Sequence, residues 1–213
     1  MNNTSSGQGS IESSGFPLYS AAIIVPALSA VTIVLDIPPL VWHYRHRNVG
    51  ACCLVLWLIV LNLMNFINAI IWPTDNMTNW WRGAGLCDVE IRLMIGSLIA
   101  LPGALACIMR SLANVMNTNK TVMVPSASQR RRQYVLDLLL CFGCPLYLML
   151  VYYVVQDKRY YIWGITGCNW SADNSWVAIV LVLIWPPLFT LVDAYYAGEL
   201  ASVEHPDRTL TVT

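Results

Sequence analysis

Two cysteines and a sparse set of charges carry most of the chemistry open to this 213-residue chain. Cys87 opens a long apolar stretch, and Cys168 sits in a polar loop much further along. Cys52, Cys53, Cys107, Cys141 and Cys144 instead fall in or beside apolar runs. If the polar ends of the two stretches share the oxidising side of a membrane, a Cys87–Cys168 bridge would persist there. Two free thiols, or a geometry that forbids closure, remain the alternative. Arg110 is the next candidate, because it closes an uncharged run from Leu93 to Met109. An arginine at a bilayer centre costs at least about 2.5–3.5 kcal/mol, whereas one near a helix end can snorkel to the boundary. Asp36, Asp137 and Asp193 fall near the same level on other apolar runs. Arg110 is therefore expected to snorkel, to contact a cytosolic partner, or to form a switchable ion pair with one of these acids.

Asn62, Asn65 and Asn68 recur at steps of three, which keeps them within one face of a helix. Amides in such surroundings hydrogen-bond across helices, worth about 0.6–2 kcal/mol each. Ligand contact by Asn68 is the second reading. Lys120 and Arg130-Arg131-Arg132 form a basic segment. Such a segment attracts anionic lipid at roughly 1 kcal/mol per basic residue, and it also suits an acidic cytosolic protein. Signs of an enzyme are missing. His43, His46 and His205 have no paired metal spacing, and Cys141-Phe142-Gly143-Cys144 lacks a second ligand pair. No H-E-x-x-H, G-x-S-x-G or phosphate-binding loop occurs. No enzyme activity, cofactor or metal is expected. No nucleic-acid partner is expected either, although the zero net charge by itself says nothing about nucleic acid.

The elements that must position these residues are membrane spans. The chain is 57% hydrophobic and 11% charged, against about 25% charged in an ordinary soluble domain. Apolar runs at 16–42, 49–72, 87–116, 134–155 and 176–197 predict an all-α bundle of five spans. Each can cross a hydrocarbon core of roughly 30 Å at about 1.5 Å rise per residue. A polar tail at 1–15 precedes the bundle and another at 198–213 follows it. The first tail has no Lys or Arg, so a cleavable signal is not expected and the first span must direct insertion.

Arg45, Arg47, Lys120 and Arg130–Arg132 follow spans one and three, whereas Arg82, Lys158 and Arg159 follow spans two and four. That asymmetry places the N-terminus outside and the C-terminus in the cytoplasm. Asn2, Asn3, Asn76 and Asn169 begin glycosylation triplets on the outer side, while Asn119 begins one on the inner side. Trp72, Trp80, Trp81, Trp163, Trp170 and Trp176 gather near the outer boundary, as expected of an aromatic belt. Proline or asparagine in every span argues for helices that satisfy one another's backbone, hence a packed bundle. No internal repeat is evident, which weakens an inverted-repeat transporter.

In this frame an ordered set of residues resembles the fungal mating pheromone receptors that recognise prenylated lipopeptides, a branch of the class D G-protein-coupled receptors. The set begins with Arg47-Asn48-Val49, Asn68-Ala69-Ile70-Ile71-Trp72, Trp81 and Gly85-Leu86-Cys87-Asp88-Val89. It continues with Arg110-Ser111-Leu112-Ala113, Pro145-Leu146-Tyr147, Arg159-Tyr160, Gly167-Cys168 and Trp185-Pro186-Pro187. The resemblance implies a seven-helix receptor with its N-terminus outside, a prenylated peptide pheromone as ligand and a heterotrimeric G protein as cytosolic partner. Beside the lipid bilayer, a further copy of the receptor is a candidate partner.

Five spans stand where the family has seven. The chain is therefore expected to be a truncated form, with an exposed apolar flank on spans three and five. Two other readings stand beside the signalling receptor. One is a non-signalling receptor fragment or modulator. The other is a small transporter using Asp36, Asp137 and Asp193, although these share one level rather than stepping across the membrane.

Overall fold

A computed structural model describes residues 20–74, 80–116 and 126–204. The expected tail at 1–15, Asn2, Asn3, Asn76, Lys120 and residues 205–213 lie outside the described residues. Five helical runs are long and apolar enough to cross a membrane. The first three are single helices: α1 (Ser20–Arg45), α2 (Val49–Ile71) and α3 (Leu86–Met116). The fourth joins α4 (Ala127–Leu138) to α5 (Cys144–Val155) through a π-helical turn at Leu139–Gly143. The fifth joins α6 (Trp176–Ala178) to α7 (Trp185–Glu204) through a second π-helical turn at Ile179–Leu183.

The prolines account for both π turns. Pro145 has no N–H to offer the carbonyl of Cys141, and the wider turn lies immediately ahead of it. The Cys53 thiol of α2 donates to that carbonyl at 3.4 Å. The second π turn likewise lies ahead of Pro186-Pro187. Pro26, Pro38 and Pro39 are carried within α1 without breaking it.

The third span is the hub. Just over half of its most apolar window, 56%, is buried, against 11% for the first span and 17% for the fifth. Small residues let its neighbours approach. Near the start of α2, Cys53 is buried in one cluster with Ala100, Ala104 and Cys107 of α3. A Cβ on Gly50 would stand only 2.9 Å from that of Cys107.

Three expectations need correcting. The flank of span three is not left bare, because α7 packs along it. Of these two spans the fifth keeps the broader apolar surface, including Leu188, Leu191 and Tyr195, and the first span is exposed as well, at Leu28, Val34 and Leu35. The basic segment at 130–132 is helix rather than loop: Ser126 caps α4, its hydroxyl accepting the Gln129 amide at 3.3 Å. The last helix also runs past 197 to Glu204.

Candidate functional site at the two ends of the third span

At its first turn α3 meets a short antiparallel hairpin, β1 (Tyr161–Trp163) and β2 (Gly167–Asn169), with Ile162 opposite Cys168. Cys87 and Cys168 are disulfide-bonded, with Cα atoms 5.2 Å apart and both side chains fully buried. The hairpin also seals the end of α2. The Ile165 amide donates to the Trp72 carbonyl at 2.9 Å, and the Asn68 amide group donates to the Thr166 carbonyl at 3.1 Å. Helix ends leave such carbonyls without intrahelical partners, so the hairpin supplies what α2 lacks. Gly167 takes φ 73°, and any Cβ there would fall 2.3 Å from the Asn68 side chain. Only glycine permits both the backbone angle and this approach.

Trp72 is wholly enclosed beneath this cap. Its indole N–H donates to the Trp81 carbonyl at 3.2 Å, and the two rings stack. It is therefore a core anchor, not the member of an aromatic belt that its position suggested. On the far side, the Tyr152 hydroxyl donates to the Ser171 carbonyl at 2.6 Å and the Tyr160 hydroxyl to that of Arg82 at 2.9 Å.

Two features of this end escaped sequence reasoning. Arg159 grips Asp88 with two hydrogen bonds, Nε to Oδ1 at 3.0 Å and Nη2 to Oδ2 at 2.6 Å. That hydrogen-bonded carboxylate raises the pKa of the Arg159 guanidinium. Glu90 is only 3% exposed, lies beside Asn68, and has neither carboxylate oxygen in a hydrogen bond among the described residues. An acid one turn inside an apolar span, two residues past Asp88, was the available signal for Glu90. The Asp88–Arg159 pair crosses 71 positions and left none.

The opposite end of α3 is built differently. Arg110 pairs with Asp137 of α4, their side chains 21% and 23% exposed. Of the three acids at this level, geometry thus selects Asp137. Asp36 and Asp193 stand apart from Arg110, each half-buried with one carboxylate oxygen that has no hydrogen-bond partner among the described residues. Arg130, Arg131 and Arg132 lie exposed on α4, roughly 7–10 Å beyond Asp137 at the helical rise. The turn from α1 to α2 lies in the Arg47-Asn48-Val49 motif, where the Asn48 side chain accepts the Ala51 amide at 3.2 Å.

The asparagine row does not act as a unit. Asn62 bonds back to the Leu58 carbonyl of its own helix at 2.9 Å, Asn65 is exposed, and only Asn68 reaches another element. Asn169 sits half-buried at the end of β2. No group of three or more His, Cys, Asp or Glu side chains suited to a metal ion occurs among the described residues.

The pheromone A receptor family model matches residues 24–205. The chain is 31% identical over 190 residues to the pheromone a factor receptor of Saccharomyces cerevisiae, covering 89% of this chain and 39% of that receptor. It is also 31% identical to the pheromone B alpha 1 receptor of Schizophyllum commune, covering 88% of this chain and 28% of that one. For pheromone receptor 1 of Mycosarcoma maydis the identity is again 31%, covering 82% and 48%. The chain spans less than half the length of these relatives. A multi-pass helical bundle, an ordered match over most of the chain, and relatives that are receptors rather than enzymes agree: this chain belongs to the pheromone A receptor family.

Proposed function

We propose that this chain forms the first five spans of a mating pheromone receptor. It would bind a prenylated peptide pheromone at the disulfide end and signal to a heterotrimeric G protein at the basic end. In this reading the bundle at 16–197 lies in the plasma membrane, with the N-terminus extracellular and the C-terminus cytoplasmic. Asn2, Asn3, Asn76 and Asn169 are then available to glycosylation, and the receptor can associate with further copies of itself. The observation that carries the reading is the build of α3. One helix is bonded covalently to the hairpin at one end and ion-paired to the arginine-bearing α4 at the other. Ligand binding would act by shifting an equilibrium between helix arrangements. Arg110, Lys120 and Arg130–Arg132 would face the G protein, and the Arg110–Asp137 pair would favour the resting arrangement. Asp36, Asp193, Asn62 and Asn65 are intramembrane polar groups that such a shift would re-partner, whereas Asn68 would stay with the hairpin.

The test is guanine-nucleotide exchange on a purified heterotrimeric G protein, with the chain in lipid nanodiscs. A prenylated pheromone peptide should accelerate exchange and its unprenylated form should not. Equal responses to both would remove the lipid from the ligand. No response here, together with a response from a seven-span relative, would leave the ancestry and remove the activity. A second reading, a modulator of a full-length receptor, is favoured by the exposed apolar surface of the first and fifth spans. Co-precipitation with a full-length relative, without exchange by the chain alone, would support it.

A further inference from the structure

A cavity of about 570 Å³ opens between the disulfide end of α3 and the end of α5. Asp88, Arg92, Tyr153, Asp157, Lys158 and Arg159 surround it. Asp88 and Arg159 neutralise each other. That leaves Arg92 and Lys158 against Asp157, a net single positive charge, and neither cation forms an ion pair with a carboxylate among the described residues. Both instead lie against aromatic rings: the Arg92 guanidinium is 5.9 Å from the centre of Tyr153, and the Lys158 ammonium is 5.3 Å from that of Tyr161. Contact with Tyr161 also raises the pKa of Lys158.

The setting of these charges says what they would hold. Arg92 is the last charge before the uncharged run of the third span, about 9 Å from the start of α3 by helical rise, so it stands at the edge of the apolar run rather than within it. Tyr153 lines the cavity and also ends an exposed stripe on α5, Leu146, Leu150 and Tyr153. Steps of four and three place these three on one helix face, an apolar track about 10 Å long leading away from the cavity. A cationic pocket continuous with an outward apolar track has the two-part character of a glycerophospholipid. We propose that this cavity binds the phosphodiester headgroup of one membrane phospholipid, with Arg92 and Lys158 on the phosphate and an acyl chain along Leu146 and Leu150. Asp157 then faces whatever amine the headgroup carries. The lipid braces the α3–α5 seam from outside the bundle, independently of any pheromone.

Native mass spectrometry of the full chain released from detergent micelles tests this. The probes are dioleoyl phosphatidylglycerol, dioleoylglycerol and inorganic phosphate. The wild-type chain should retain one phosphatidylglycerol and no dioleoylglycerol. Arg92→Gln with Lys158→Gln should lower retention at least tenfold, while Arg92→Lys with Lys158→Arg should keep it. Arg82→Gln, which removes another cation at the same end, should also keep it. An intact Cys87–Cys168 peptide in each variant reports that the cap has folded. Undiminished retention in the double Gln variant would overturn the site. Equal retention of dioleoylglycerol would reduce it to a greasy surface. Displacement of the lipid by millimolar inorganic phosphate would make free phosphate the ligand.

Discussion

The two ends of α3 hold their neighbours by different means. At the disulfide end the contacts are covalent, enclosed and shape-dependent: Cys87 to Cys168, the Trp72 anchor, and the close seat of Gly167 on Asn68. At the other end the cross-helix link is an ion pair between Arg110 and Asp137, about a fifth exposed, beside an arm of three exposed arginines. A membrane bundle gains little from packing one apolar helix on another, since lipid is equally apolar, so polar and covalent links decide which arrangement persists. The first kind of link fixes a platform. The second can be broken and remade at modest cost, which would suit the change of helix arrangement proposed for that end.

Predictions that test this contrast run from large to small. Replacing Cys87 or Cys168 by Ser should cost about 2–4 kcal/mol in unfolding, since the bridge joins positions 81 apart. Thermal unfolding in nanodiscs, with and without reductant, reads it. Gly167→Ala should come next, at about 1–3 kcal/mol, because φ 73° and the Asn68 side chain both oppose a methyl group. Its signature is hydrogen exchange: amides of the hairpin and the last turn of α2 should lose protection while the arginine-bearing end keeps its own. Asp137→Asn should cost about 1–2 kcal/mol, below the figure for a fully buried pair because solvent reaches both partners. It should also raise basal nucleotide exchange without touching the disulfide. Arg159→Gln should be the mildest, scarcely measurable at physiological salt, since the pair it breaks is largely solvent-exposed at the arginine. A large loss there would mean that the cap depends on charge, and the contrast would fail.

Much of this was legible in the sequence because hydropathy over 18 or more residues is a strong signal. Five long apolar helices overlap the five apolar runs, and Cys87, at the start of the third run, is bonded to Cys168 in a polar loop. The helical start at Ala127 was hidden because Arg130–Arg132 carry no apolar periodicity; a cap at Ser126 and good helix formers extend the helix past the apolar run. The hairpin was hidden because two three-residue strands leave almost no pattern. Asp137 was visible as one of three acids at the right level, but choosing it required the helix arrangement itself. Trp72 misled because a tryptophan at a span end suits an aromatic belt and a buried anchor equally well until its neighbours are known.

The measurement that bears most directly on the contrast is a charge reversal at the clasp. Arg110→Asp and Asp137→Arg, made singly and together, are compared by thermal unfolding in the same nanodiscs. Each single variant sets two like charges together at the α3–α4 contact and should be clearly less stable. The double variant restores opposite charges and should recover most of the loss, a favourable coupling of at least about 1 kcal/mol. A double variant no more stable than the sum of its single changes would mean that Arg110 and Asp137 do not hold this end together.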